Sequence, residues 1–206
     1  KIFKKEGVKS VISLGGDGTQ RDLVLGWTDA PLLPISTGTN NVFPFMVDPT
    51  VAGTAAGLIA SDELIIEEVS QRAKVIHVEL PNGIKDLALV DVVLVDDRLT
   101  GSRAVVKPDS VKQVLAAIAN PASIGLASIA GRSKPVYFDD ESAVSVICDP
   151  KAKQGVFAPI MPGSVSDVGI VDIKEVELGE TIELNGPGVL AFDGERDFVM
   201  GENESA

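Results

Sequence analysis

A single carboxylate stands among glycines near the start of the chain, where Gly15, Gly16 and Gly18 surround Asp17 and Thr19 follows. Glycines let a backbone approach a phosphate closely because they carry no β-carbon, and the first amides of a helix add N–H donors and partial positive charge. An acid inside such a loop suggests metal binding or proton abstraction. Taken alone, the same tetrapeptide is equally typical of a surface turn. We take Asp17 as the candidate catalytic residue, and the three glycines with Thr19 as candidate phosphate ligands.

A second polar glycine loop, residues 37–41, follows an apolar run over residues 31–36. Its last two residues, Asn40 and Asn41, are candidate ligands for a phosphate or a ribose. Two glycine-bearing loops at the ends of neighbouring predicted strands are typical of the ligand crevice of an open α/β sheet. Neither loop has the lysine of a P-loop or the spacing of the dinucleotide-binding fingerprint.

The elements that must position these loops alternate between strand and helix over residues 1–62, which predicts an α/β domain. The apolar run from Val8 to Leu14 predicts a buried strand, and the helix after it is expected to start at Thr19, with Asp22 as its capping partner. Asp48 followed by proline predicts the start of another helix, which extends to residue 60.

Residues 63–190 contain short β-rich runs, which predict a mostly antiparallel β domain, and residues 191–206 form a return segment and a polar tail. Asn82 followed by Gly83 predicts a hairpin turn. Apolar residues at helical spacing predict one helix over residues 109–120. Strands are expected over residues 64–69, 73–80, 86–96, 124–129, 143–148, 155–158, 169–176, 181–184 and 189–192.

Composition narrows the class of protein. A chain of 206 residues with 45% hydrophobic content can bury one or two ordinary cores. The net charge of −12 argues against nucleic acid or an anionic membrane as a partner. The single cysteine, Cys148, excludes an internal disulfide, and the single histidine, His77, lies in an apolar run that makes a Ser–His–Asp triad improbable. A soluble cytoplasmic protein fits these features.

The first loop resembles the hallmark of the superfamily that joins NAD kinases, diacylglycerol and sphingosine kinases and 6-phosphofructokinases. Residues 35–44, Ile-Ser-Thr-Gly-Thr-Asn-Asn-Val-Phe-Pro, are most similar to the acetoin-catabolism protein X subgroup of the ATP-NAD kinase-like family. The resemblance implies a parallel α/β domain whose upstream strand and helix are missing here, followed by a β-sandwich-like domain. It also implies ATP and Mg²⁺ as cofactors, an acceptor bound between the domains, and a homo-oligomer.

The resemblance suggests further substrate-binding positions in the second half of the chain. Asp91 matches the acid that follows an asparagine in NAD kinases, but Val90 replaces that asparagine. Ser123 matches the serine of the NAD kinase Thr-Gly-Ser-Thr-Ala-Tyr segment, whereas Ala122 and Leu126 depart from it. Asp91 and Ser123 are equally compatible with ordinary positions at strand ends.

Late in the chain, Asp193, Gly194 and Glu195 resemble the Asp-Gly-Glu element of the lipid and NAD kinases. In that reading Asp193 supports a metal or orients Asp17, and Arg196 offers charge to a phosphate. The alternative is an Asp-Gly hairpin turn between two short strands.

These features favour a kinase-like phosphotransferase that moves the terminal phosphate of ATP to a hydroxyl of a nucleotide, with NAD as the leading acceptor. A second hypothesis replaces the acceptor by a lipid or a small alcohol, because Val90 and Leu126 would make the nucleoside pocket more apolar. A third is a non-catalytic nucleotide-binding regulatory protein.

Overall fold

The computed structural model describes residues 2–96 and 107–206, which form two compact units, Lys1–Ala73 and Lys74–Ala206. Within those ranges, no helix combines the length and the apolar character that crossing a membrane requires. The expected division at residues 62 and 190 stays a prediction.

The first unit pairs two parallel strands with flanking helices, as expected for an α/β part. Its elements are α1 (Ile2–Lys5), β1 (Val11–Gly15), α2 (Asp17–Gly26), β2 (Leu32–Ser36), α3 (Pro49–Ala60) and α4 (Ile66–Val69). Strands β1 and β2 pair in register from Val11 with Leu32 to Gly15 with Ser36. Their carboxyl ends therefore lie side by side, and both glycine loops leave from the same edge.

The helix ends of the first unit contradict one predicted N-cap and confirm another. Helix α2 begins at Asp17 and not at Thr19, with Gly16 as an N-cap that supplies no side-chain hydrogen bond. The Thr19–Asp22 capping pair was therefore wrong, because Thr19 already lies inside the first turn. The cap of α3 is confirmed, since the Asp48 carboxylate accepts a hydrogen bond from the Thr50 amide at 2.8 Å. Residues 66–69 form a short helix and not the expected strand.

The second unit is built on a seven-stranded antiparallel sheet in the order β11 (Glu195–Met200), β10 (Gly188–Phe192), β5 (Asp91–Val95), β6 (Val111–Ala116), β7 (Ser142–Cys148), β9 (Ser164–Glu177) and β8 (Gly155–Met161). A separate hairpin joins two more strands, and the expected Asn82-Gly83 turn between them is confirmed. The remaining elements are β3 (Ile76–Glu79), β4 (Lys85–Ala88), a 3₁₀ turn (Pro108–Ser110) and α5 (Ala127–Ser133).

Alternate residues of the central strand β5 enter two apolar clusters, one on each face of the sheet. Val93 packs in the cluster that contains Ile129 of α5. Leu94 packs in the cluster that contains Val78 of the β3–β4 hairpin and Phe192 of β10. The strand is buried along its whole length, so it holds the residues at its two ends in fixed positions.

Three helix and strand expectations in this unit were wrong. Residues 111–116, expected in a helix, form β6, because Val111 and Val114 are buried in a strand paired with β5 and β7. Residues 124–129 were expected to form a strand, but residues 127–129 belong to helix α5. Residues 181–184 lie outside the strands. Tertiary pairing overrides local periodicity in short apolar segments of this kind.

Candidate functional site

The two glycine loops of the first unit contact each other through the carboxylate of Asp17. Its Oδ1 accepts hydrogen bonds from the amides of Phe43 at 2.8 Å and Val42 at 3.1 Å. Among residues 2–96 and 107–206, the partner of its Oδ2 is the Val42 amide, also at 3.1 Å. Oδ1 therefore fastens the second loop to the start of α2, while Oδ2 retains most of its capacity to bind a further partner.

Close contacts explain why glycines occupy the first loop. A β-carbon on Gly16 would lie 2.7 Å from Oδ1 of Asn41, and one on Gly15 would lie 2.5–2.7 Å from three side-chain atoms of Thr19. Gly18 is half-buried in the first turn of α2. A side chain at either of the first two positions would separate the loops or displace the helix.

The second loop is held by its own polar side chains. Nδ2 of Asn41 donates to Oγ of Ser36 at 2.8 Å, and that hydroxyl donates to the Gly38 carbonyl oxygen at 2.8 Å. Asn40 is exposed, and its Oδ1 accepts from the Thr39 hydroxyl at 3.2 Å. The structure thus places Asn41 against the glycine loop and Asn40 on the surface beside it.

The start of α2 has the features of an anion site. The N-cap residue Gly16 provides no side-chain cap, so the amides of the first turn are suited to bind a ligand. The partial positive charge of a helix N-terminus favours phosphate oxygens there. Among the described residues, no group of three or more His, Cys, Asp or Glu side chains could hold a metal ion. Mg²⁺ commonly binds through one or two carboxylates and substrate phosphates, so Oδ2 of Asp17 is a chemically suitable ligand.

Burial raises the pKa of the Asp17 carboxyl, and the hydrogen bonds from the Phe43 and Val42 amides oppose that shift without cancelling it. A raised pKa makes the carboxylate a stronger base, which is the direction that proton abstraction near neutral pH requires.

The same shift predicts a pH-dependent stability. The folded Asp17 binds its proton more tightly than the unfolded one, so its contribution to the free energy of unfolding falls as the pH rises through its raised pKa. Asn cannot titrate, so wild type should lose stability relative to Asp17→Asn over the pH range that starts at about 4, the ordinary pKa of an aspartate, and extends upward. Urea unfolding of both proteins across this range measures the difference. A constant or growing wild-type advantage would contradict the prediction.

In the second unit, Asp193 and Gly194 form the turn between β10 and β11. Their φ angles are +49° and +85°, so the hairpin alternative for this segment is what the structure shows. The Asp193 carboxylate accepts hydrogen bonds from the backbone amides of Leu89, Val90 and Asp91 at 2.8–3.2 Å. The turn therefore fixes the backbone immediately before β5.

This turn brings two of the predicted substrate-binding residues together. Asp91 is only 3% exposed, and its carbonyl oxygen accepts from the Asp193 amide at 3.0 Å.

Ser123 lies in the loop that follows β6 and leads to α5, and its amide donates to the Asn120 carbonyl oxygen at 3.0 Å. Glu195 is exposed at the start of β11. The side chain of Arg196 lies outside the described part of the structure.

Removing the Asp193 carboxylate should destabilise the second unit. In Asp193→Ala, buried amides before β5 lose their acceptor and alanine must adopt a left-handed backbone, so we expect a loss of about 3 kcal/mol in the free energy of unfolding. Asp193→Gly can adopt the left-handed backbone, so its loss of stability measures the effect of the missing carboxylate alone. Asp193→Asn keeps one acceptor oxygen. Urea unfolding should rank the variants Asn, Gly, Ala in order of increasing loss. Equal stability of Asp193→Gly and wild type would contradict the assigned role.

Of the three departures from the NAD kinase pattern, Ala122 is exposed and the other two are core residues. Val90 is 2% exposed, and Leu126 is 4% exposed and packs against Ile129 in the cluster under α5. Their apolar side chains therefore fill the interior of this unit, which removes the reason for expecting a more apolar ligand pocket and hence a lipid acceptor.

Sequence reasoning missed two features of the first-unit site. It did not identify the amides of Val42 and Phe43 as partners of Asp17, because backbone donors leave no trace in residue types. It also missed Gln20, which is completely buried in α2 one turn after Gly16. A polar residue four positions before the buried Val24, on the same helix face, was the available indication.

Comparison with known proteins agrees with this architecture. The family model described as the acetoin catabolism protein X C-terminal domain matches residues 74–206, which is the whole second unit. Acetoin catabolism protein X of Cupriavidus necator is 34% identical over 205 residues, and the match covers 96% of this chain but 57% of that protein. The crystal structure of yeast NADH kinase complexed with NADH aligns with a TM-score of 0.56 at 16% identity, over 96% of this chain and 57% of the kinase.

These matches confirm the NAD kinase-like fold and the subgroup that the second loop indicated. The structural likeness shows the fold alone, because the sequence identity is only 16%. Since the family's domain model covers the second unit completely, the chain belongs to the acetoin catabolism protein X family.

Proposed function

We propose that this protein is a kinase-like phosphotransferase that moves the terminal phosphate of ATP to a hydroxyl of a nucleotide, with NAD as the acceptor. The observation that carries the proposal is the contact between the two loops of the first unit. It holds one carboxylate beside an uncapped helix N-terminus and beside an asparagine that touches the glycine loop. Phosphoryl transfer requires mainly positioning and charge neutralisation, and these are the functions such loops provide.

In this proposal, Asp17 takes the proton of the acceptor hydroxyl or holds a metal ion. Mg²⁺, when bound, would neutralise phosphate charge, and Oδ2 of Asp17 would be its protein ligand. Asn41 would hydrogen-bond a phosphate or the acceptor ribose, and Asn40 would do the same from the surface. The donor phosphates would be held by backbone groups of Gly15, Gly16, Gly18 and Thr19.

The second unit would supply the substrate-binding residues. Asp91 and Ser123 are the proposed contacts with the acceptor, together with Gly194 in the turn beside Asp91 and Glu195 directly after that turn. Asp193 supports this role indirectly, because its carboxylate holds the backbone at residues 89–91. We also propose a homo-oligomer, which light scattering in solution would test.

A non-catalytic nucleotide-binding protein is the second candidate. It is favoured by the hydrogen bonds from Val42 and Phe43 to Asp17, because a carboxylate that fastens two loops together has a structural use without any chemistry. Both candidates predict nucleotide binding, and only the first predicts turnover.

A single assay set separates these possibilities. The protein as the cell produces it is incubated with ATP, Mg²⁺ and either NAD or diacylglycerol, and ATP affinity is measured by calorimetry. Phosphorylation of NAD supports the proposal, and phosphorylation of the lipid alone overturns the nucleotide acceptor. Tight ATP binding without turnover supports the regulatory alternative. Absence of both binding and turnover overturns both candidates.

A further inference from the structure

Gln20 is a buried polar side chain in α2 that the proposed mechanism does not use. Its side chain is 0% exposed, and neither Oε1 nor Nε2 has a hydrogen-bond partner among residues 2–96 and 107–206. Buried side-chain amides in native proteins nearly always have partners, because an unpaired one has lost its water without replacement. Packing alone does not explain a glutamine here. An apolar side chain, such as that of Val24, fills the buried face of α2 without leaving a desolvated amide unpaired.

The position of Gln20 connects it to the glycine loop. Its backbone amide donates to the Gly16 carbonyl oxygen at 3.2 Å, so it lies one helical turn after the uncapped N-terminus. Side chains on an α-helix lean towards its N-terminus, and the Gln20 side chain therefore covers the turn that begins at Gly16. The first turn of α2 thus combines free backbone donors with a buried amide that can both donate and accept.

We propose that Gln20 is a positioning residue of the glycine-loop site whose side-chain amide is hydrogen-bonded when a nucleotide is bound. The inference rests on the proposed function. The amide needs a ligand that both accepts and donates hydrogen bonds. Phosphate oxygens accept from Nε2, and a ribose hydroxyl donates directly to Oε1. Inorganic polyphosphate satisfies only the first requirement. Gln20 therefore favours a nucleotide over polyphosphate as the ligand of this loop.

The test compares wild type with Gln20→Met, which has a similar shape and no amide. Without ligand, the variant should melt about 2–4 °C higher, because it no longer buries an unpaired amide. Calorimetry should show ATP affinity reduced at least about fivefold, and affinity for inorganic tripolyphosphate reduced less. A higher melting temperature together with weaker binding is a combination that a purely structural residue would not produce.

Val24→Ala is the matched control on the same helix face; it should lower the melting temperature and leave the ATP affinity unchanged. A lower melting temperature for Gln20→Met would overturn the proposal, because the amide would then have a partner in the ligand-free protein. Unchanged ATP affinity, or equal losses for ATP and tripolyphosphate, would also overturn it while the proposed function stands. If wild type binds neither ligand, the proposed function fails and this inference fails with it.

Discussion

Replacing Asp17 with asparagine should lower the rate of ATP-dependent phosphorylation by about 10²–10⁴-fold, because the variant loses the group that accepts the hydroxyl proton. The amide oxygen of asparagine can still accept from the Phe43 amide, which the carboxylate binds at 2.8 Å, so the two loops should remain in contact. The loss is therefore expected in kcat, with ATP affinity changed much less. Steady-state kinetics with NAD and calorimetry with ATP measure the two quantities separately.

Asp22→Asn is the matched control, since Asp22 is exposed on the same helix. It removes the same charge from α2 as Asp17→Asn does, and it should leave the rate unchanged. If Asp17→Asn keeps the full rate, Asp17 is a structural link between loops and the chemical role assigned to it is wrong. If both variants lose activity equally, the effect comes from the charge of the helix and not from the carboxylate of Asp17.

The loops of the first unit could be predicted because their residue types have local causes. Gly15 and Gly16 are required by atoms of Thr19, four positions after Gly15, and of Asn41, in the loop that follows the neighbouring strand β2. The parallel pairing of β1 and β2 then brings Asn41 to the glycine loop, as expected for strands that end at one edge. Composition and spacing therefore predicted that the two loops lie together, but not which backbone amides bind Asp17.

The role of Asp193 could not be predicted in the same way. Its carboxylate binds the amide of Leu89, which is 104 positions away in the sequence. The pattern Asp-Gly correctly indicated a hairpin turn, but nothing in that pattern indicates which distant backbone the aspartate will hold. Contacts between a side chain and a remote backbone depend on the complete sheet, which local sequence does not specify.

Strand β6 shows the corresponding limit for secondary structure. Val111, Val114 and Leu115 have spacing compatible with a helix, yet the segment is the centre of an antiparallel sheet. Short apolar runs fit both the helical and the strand periodicity, and pairing with neighbouring strands decides which structure forms. The error affects the proposed substrate site, because β6 leads into the loop that carries Ser123.

Gly15→Ala should have the second largest effect, through geometry and not through charge. The added β-carbon would lie 2.6 Å from Cβ of Thr19, an atom fixed to the backbone of α2, so the first turn of the helix must move. Moving that turn displaces the backbone amides that are proposed to bind phosphate, and it strains the pairing of Gly15 with Ser36. We expect a loss of about 1–3 kcal/mol in stability and a loss of ATP affinity of about tenfold or more.

A double variant separates this contact from a general intolerance of substitution. Gly15→Ala combined with Thr19→Gly removes the side chain that the new methyl group would meet, and it should recover part of the lost affinity. Gly26→Ala, at the end of the same helix, meets no atom within 4 Å and should bind ATP as wild type does. Calorimetry and urea unfolding of the three variants measure both effects. If Gly15→Ala binds ATP normally, the first turn of α2 is not the phosphate site, because the helix cannot accept the methyl group without moving.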